Sequence, residues 1–184
     1  MEKALLIVPL SYGYIHSRDA LPAMEERALR MTVVHYFTHS SEERRIVMSF
    51  TVGCPKEISK KIEYLLNLGV PIEHIIASSV SLKNMITEGE TIRDVAVAAG
   101  LNVGDVVLIA HEDCAARARY VFSKLFPESV ILVEEITGKF EKDIPYRFMR
   151  NQTMHRVLNL IYYWGMRILG LERMKQYGHP EHNK

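Results

Sequence analysis

The sequence predicts an α/β fold: a doubly wound, mainly parallel five-stranded sheet with helices on both faces and a long C-terminal helix. Three observations carry this expectation. Short apolar runs alternate with amphipathic helical stretches throughout residues 4–133. The segments joining successive runs are too long for hairpins, so neighbouring strands should run parallel. Right-handed crossovers then make the doubly wound layout the simplest topology.

Ala4–Pro9 is apolar at every position rather than at alternate ones, the pattern of a strand buried on both faces. Residues 10–18 form a loop. Asp19 suits an N-cap, Pro22 is tolerated in a first helical turn, and Glu25 and Glu26 fall near the positive end of the dipole. Leu21, Met24, Ala28, Met31 and Val34 recur at three- and four-residue steps, so the first helix extends to about His39. Residues 45–50 make the second strand. Pro55 opens a helix with Ile58, Ile62 and Leu65 on one face, ended by Asn67 or Gly69.

Ile75 and Ile76 mark a short third strand. Thr87 and Glu90 stand in the Thr-x-x-Glu spacing of a capping box, opening a helix that reaches Ala99 and stops at Gly100. Residues 106–110 are the fourth strand, 115–126 its helix, and 129–133 the fifth strand. Residues 138–146 read as a loop, and 147–169 as the long helix. On it Met154, Leu158, Ile161, Gly165 and Ile168 share a stripe widened by Val157, Leu160 and Trp164, flanked by Arg147, Arg150, Arg156 and Arg167. Packing of this stripe on the sheet is the first expectation, with a homodimer contact or a membrane-surface helix as alternatives. Residues 179–184 form a polar tail.

At 184 residues, with 48% hydrophobic and 24% charged, the chain suits one domain with a substantial core and no internal repeat. Lys+Arg 23 against Asp+Glu 22 leaves a charge of +1, without the basic excess of a nucleic-acid-binding domain. Two cysteines, Cys54 and Cys114, form no disulfide framework. No apolar stretch reaches the ~18 residues of a spanning helix, and no small-residue cleavage site follows the apolar opening run. A cytoplasmic location without a transmembrane segment is expected.

In an open α/β sheet, ligands sit beyond the carboxyl ends of the strands, near the point where strand order reverses. The first such loop carries Ser11, Tyr12, His16 and Arg18. The second carries Ser49, Thr51 and Cys54, with Glu57 just inside the next helix. The third carries Ser78, Ser79, Ser81, Lys83 and Asn84, then Thr87 and Glu90. The fourth carries His111, Glu112, Asp113, Cys114 and, one turn on, Arg117. Glycine-rich dinucleotide loops, a Gly-Lys-Ser/Thr loop and a Gly-x-Ser-x-Gly elbow are all missing, which disfavours those nucleotide and hydrolase classes. Ser, Thr and backbone N–H groups at helix starts can still hold an anion.

His111-Glu112-Asp113 is the most suggestive cluster. His111 could be a general base or a metal ligand with a carboxylate fixing its tautomer, and His16 could be a second ligand. Alternatively Glu112 or Asp113 caps the following helix. No set of residues has the spacing to assign a metal site from sequence. Cys54 and Cys114 each stand near a helix start, where a thiol can be activated, though a half-buried inert thiol is the simpler reading. Arg117 could reach back to bind an anion or could form a surface ion pair.

Residues 106–126, with Cys114-Ala115-Ala116-Arg117-Ala118, Phe122 and Phe126-Pro127, resemble the ElyC/SanA/YdcF-like family of Rossmann-like domains. Glu57, then Tyr64-Leu65-Leu66-Asn67-Leu68-Gly69-Val70-Pro71 and Ile75-Ile76, is similar to that family's acidic residue, amphipathic helix and Gly-Val-Pro. Ser81, Thr87 and Glu90 resemble its Ser…Thr…Glu segment. The likeness covers roughly residues 4–133. It departs at Cys114, where the family has histidine, at Met48-Ser49-Phe50-Thr51 in place of Ser-Gly-Gly, and in the longer spacing from Ser81 to Glu90. The resemblance implies a Rossmann-like domain binding a nucleotide-like or anionic small molecule, S-adenosylmethionine or another adenosine ligand. Its contacts would be Ser11, Ser49, Thr51, Glu57, Ser81, Thr87, Glu90 and Arg117. The alternative functions are a hydrolase or transferase acting on a phosphate or carboxylate ester, with His111 and Asp113 catalytic, and an interaction module using the last helix.

Overall fold

Ala4–Pro9 forms β1, and all six of its side chains are buried, as a strand covered on both faces requires. The computed structural model describes residues 3–12, 15, 17, 19–39, 43–51, 55–82, 84–141 and 151–175, without the side chains of 50, 51, 55, 79, 81 and 82. Within them the order continues with α1 (Ala23–Thr38), β2 (Arg44–Thr51), α2 (Pro55–Asn67), β3 (Ile75–Leu82) and α3 (Met85–Ala98). Next come β4 (Val103–His111), α4 (Glu112–Leu125), β5 (Val130–Ile136), α5 (Gln152–Leu169) and α6 (Leu171–Lys175).

The five strands pair in the order β3-β2-β1-β4-β5, and every pairing is parallel. Ile7 stands beside Ile46 on one side and Val107 on the other. The chain winds from β1 outward to β3, then crosses back to β4, so strand order reverses between β1 and β4. The loops after those two strands flank the crevice that such folds use for ligands. Helices α1 and α2 pack together, as do α3 and α4, and α5 lies on α4. Right-handed crossovers place the two pairs on opposite faces. The core is laid down by the central strands: Leu6, Ile7, Val8 and Val106 to Ala110 are fully enclosed, each large aliphatic side chain contributing about 1.5–3 kcal/mol.

Several local expectations need correction. Asp19 is not the N-cap of α1, which starts after an extended Pro22 with no side-chain cap. Asp19 instead turns the chain with φ +49°, a conformation aspartate tolerates, and its carboxylate faces Lys56 and Lys60 at 3.4 and 3.8 Å. The third strand runs eight residues and absorbs Ser78, Ser79 and Ser81, expected in a loop. An edge strand need not be continuously apolar, so its polar half carried no strand signal. The capping box is Asn84 with Thr87, not Thr87 with Glu90. Asn84 Oδ1 accepts from the amides of Ile86 and Thr87 at 3.0 Å, and the Asn84 amide donates to Thr87 Oγ1 at 3.1 Å. Neither Glu112 nor Asp113 caps α4: both lie in its first turn, and His111 is the cap.

The largest correction concerns α5. Residues 147–150, expected in this helix, lie outside the described residues, as does the tail at 179–184; Asn151 caps the helix by accepting from the Met154 amide at 3.1 Å. The apolar stripe does not pack on the sheet. Met154, Val157, Leu160, Ile161, Trp164 and Ile168 are all exposed, while His155, Asn159 and Met166 are buried. The surface α4 offers is polar, with Asp113 and Arg117 on it. It selects the face of α5 that carries His155, Arg156 and Tyr162. No described helix is long and apolar enough to cross a membrane.

Candidate functional site

Three helices deliver charged side chains to one enclosed cluster beside the ends of β1 and β2. Lys61 of α2 is the hub, its ammonium 2.7 Å from Glu57 on the same helix and 3.0 Å from Glu25 of α1. It also donates to Ser11 Oγ at 2.8 Å and to the Ser49 carbonyl at 3.1 Å. Glu88 of α3 closes the ring, accepting from the Ser11 amide at 3.1 Å and from Ser49 Oγ at 3.0 Å. The second oxygen of Glu25 takes the Tyr12 amide at 2.6 Å. Glu25, Ser49, Glu57 and Lys61 have no solvent exposure, and Glu88 almost none.

Three carboxylates share one ammonium, and the shifts follow. Burial pushes Glu88 up to about 7, only partly opposed by Lys61 and the bonds from Ser11 and Ser49. Burial likewise raises Glu25, with Lys61 opposing and Glu57 reinforcing. For Lys61 burial acts downward, but Glu25 and Glu57 outweigh it, so the ammonium is held charged.

The neighbouring strand, β4, ends at His111, fully buried. Its amide donates to Tyr12 Oη, which ties the loop after β1 to the end of β4. Its Nε2 faces the Gly138 carbonyl at 2.9 Å. A carbonyl only accepts, so Nε2 carries the proton and Nδ1 a lone pair. That Nδ1 accepts from the Asp113 amide at 3.2 Å. Asp113 Oδ2 lies 3.6 Å from His111 Nδ1 and 3.3 Å from His155 Nδ1, while Oδ1 accepts from Arg156 at 2.7 Å. Burial works against the Asp113 carboxylate, but Arg156 and His155 more than compensate and hold its pKa below the usual value. Burial lowers His155 to about 4, against the pull of Asp113. Phe140 stands over both imidazoles, with ring centroids 4.7 and 4.9 Å away.

Arg117 stands on α4, one turn beyond Asp113. Its Nε is buried with no hydrogen-bond partner, and its guanidinium sits 5.7 Å from the Tyr162 ring centroid. Burial draws its pKa down, with Cys114 the first group opposing that. Cys114 is buried, donates to the His111 carbonyl at 3.2 Å, and is pushed up to about 11 by burial. That thiol is protonated at neutral pH, the inert kind.

Of the residues expected at the site, Ser11, Ser49 and Glu57 meet in the Lys61 cluster, and His111, Asp113 and Arg117 line the β4 side. Thr51 and Ser81 lie in the paired ends of β2 and β3. Thr87 spends its hydroxyl on the Asn84 backbone as part of the cap. Glu90 is not brought to the cluster: it pairs with Lys175 of α6 at 2.7 Å. His16, Arg18, Cys54 and Lys83 lie outside the described residues.

Glu25, read from sequence only as a helix-dipole residue, and Lys61, Glu88 and His155 are not among the expected site residues, yet the first three carry a signal. Each stands four residues before a fully buried apolar side chain, Leu29, Leu65 and Ile92 respectively, and so sits on the inward face of its helix. A charge at such a position must find an opposite charge or a hydrogen-bond partner inside. His155 had no such mark, because the face of α5 that turns inward is its polar one.

No protein-family model and no curated protein matches this chain.

Proposed function

We propose that this chain is a cytoplasmic small-molecule-binding domain whose ligand carries an anionic group, a nucleotide-like compound such as S-adenosylmethionine or another adenosine derivative. The observation that carries the reading is Arg117: a guanidinium whose buried Nε has no hydrogen-bond partner, beside the β1/β4 switch point. A cation in such a place gains most from an anion supplied by a ligand.

The test is thermal shift followed by calorimetry with S-adenosylmethionine, ATP, adenosine and inorganic phosphate. Binding by the wild type and its loss in Arg117→Gln, with the fold retained, is the expected result. A panel with no response would sink the proposal.

The enzyme alternative, with His111 as general base, draws less support: both of its ring nitrogens already face protein groups. The interaction-module reading is favoured by one observation, the apolar stripe of α5 on the outer face of the molecule. The partner best suited to it is a second copy of the chain.

A further inference from the structure

We propose that His111, Asp113 and His155 form a three-ligand site for a divalent transition-metal ion of the zinc class. The residues come from three places, the last position of β4, the first turn of α4 and the first turn of α5. One donor atom from each lies within 4.8 Å of the others. The Asp113 carboxylate oxygen is 3.6 Å from one imidazole nitrogen and 3.3 Å from the other. Ligands bound tetrahedrally at ~2.0–2.1 Å stand roughly 3.3 Å apart, so these separations need little adjustment.

The tautomer of His111 is the one a metal ligand at Nδ1 needs. Its Nε2–H is committed to the Gly138 carbonyl at 2.9 Å. Nδ1 therefore carries the lone pair, which accepts from the Asp113 amide at 3.2 Å and which a metal ion would take over from that amide. A ring N–H held by a backbone carbonyl is also the usual support behind a metal-binding histidine. Phe140, in contact with both imidazoles, holds the rings and gives the site an apolar wall. Two nitrogens and one oxygen suit zinc, cobalt, nickel or iron(II) rather than magnesium or calcium, which take oxygen ligands. Three protein ligands leave a fourth position for water or a ligand group.

Arg156 occupies the outer oxygen of Asp113 at 2.7 Å and is itself 63% exposed, so the cluster lies one side chain below the surface. Its charge competes with a metal for the same carboxylate. A purely structural clamp and a metal site thus respond oppositely to its removal.

The experiment titrates the full chain with Co2+ and follows the visible bands of four-coordinate cobalt, with Zn2+ as competitor. The wild type should show them, Cys114→Ser should keep them, and His155→Gln and Asp113→Asn should weaken binding at least about tenfold. Arg156→Gln should bind severalfold more tightly. His179→Ala with His182→Ala controls for the tail and should change nothing. No bands in the wild type, bands lost with the tail histidines, or unchanged affinity in His155→Gln and Arg156→Gln would each overturn the proposal. Should Asp113→Asn not fold, imidazole nitrogen NMR of the wild type decides: zinc must move the Nδ1 resonances of two histidines, and unmoved resonances refute the site.

Discussion

Lys61 and Glu57, one helical turn apart, form a 2.7 Å ion pair in which neither side chain reaches solvent. A surface pair at this spacing is worth a few tenths of a kcal/mol. Enclosed, the same two residues become the centre of a network that joins α1, α2 and α3 to the ends of β1 and β2. Its bonds to Ser11 and to the Tyr12 amide tie down the start of the loop after β1.

The network should fail asymmetrically. Lys61→Met leaves Glu25, Glu57 and Glu88 enclosed without their shared cation, and removal of one partner from a buried pair costs about 3–5 kcal/mol. Urea denaturation should show a loss of that size. A loss below about 1 kcal/mol would mean that water reaches the cluster.

Stability should also fall as pH rises through neutrality. Glu88 has its pKa raised from 4.5 to about 7 in the folded chain, so between those values the folded state holds a proton that the unfolded state has released. Its contribution is complete below 4.5 and disappears as pH passes about 7. A shift of this size carries roughly 3 kcal/mol. Comparing urea midpoints at pH 5 and pH 8 for the wild type and Glu88→Gln cancels the other titrating groups. The wild type should lose more stability over this interval than the variant; equal slopes would contradict the assignment.

On α5, Leu160 and Trp164 are each more than half exposed. Replacing both with glutamate should therefore leave the unfolding midpoint nearly unchanged, since exposed substitutions typically shift stability by no more than about 0.5 kcal/mol. Sedimentation velocity of the wild type should show a dimer that the double variant lacks. Unfolding of the variant would instead place the stripe in the core.

The strand–helix alternation was legible because each central strand is a short apolar run bounded by helical periodicity. Runs like Ala4–Pro9 admit few other readings. The sequence reading of edge strand β3 is too short because Ile75-Ile76 is followed by Ala-Ser-Ser-Val-Ser-Leu, polar at places where a central strand would be apolar. The start of α3 was missed for a related reason: Asn84 and Thr87 are as good a cap as Thr87 and Glu90, and only the backbone path distinguishes them.

By itself the sequence determined the sheet, the direction of its strands and the rim on which Ser11, Ser49, His111 and Arg117 stand, since hydrophobic periodicity and crossover handedness act locally. Tertiary structure alone decided which charges turn inward and which meet. Glu25, Lys61 and Glu88 come from separate helices, and Asp113 meets His155 across 42 residues. It also decided that α5 presents its polar face to α4. Hydrophobicity would have buried the opposite face, but the buried carboxylate of Asp113 required hydrogen-bond donors, and an unsatisfied charge costs more than an exposed leucine.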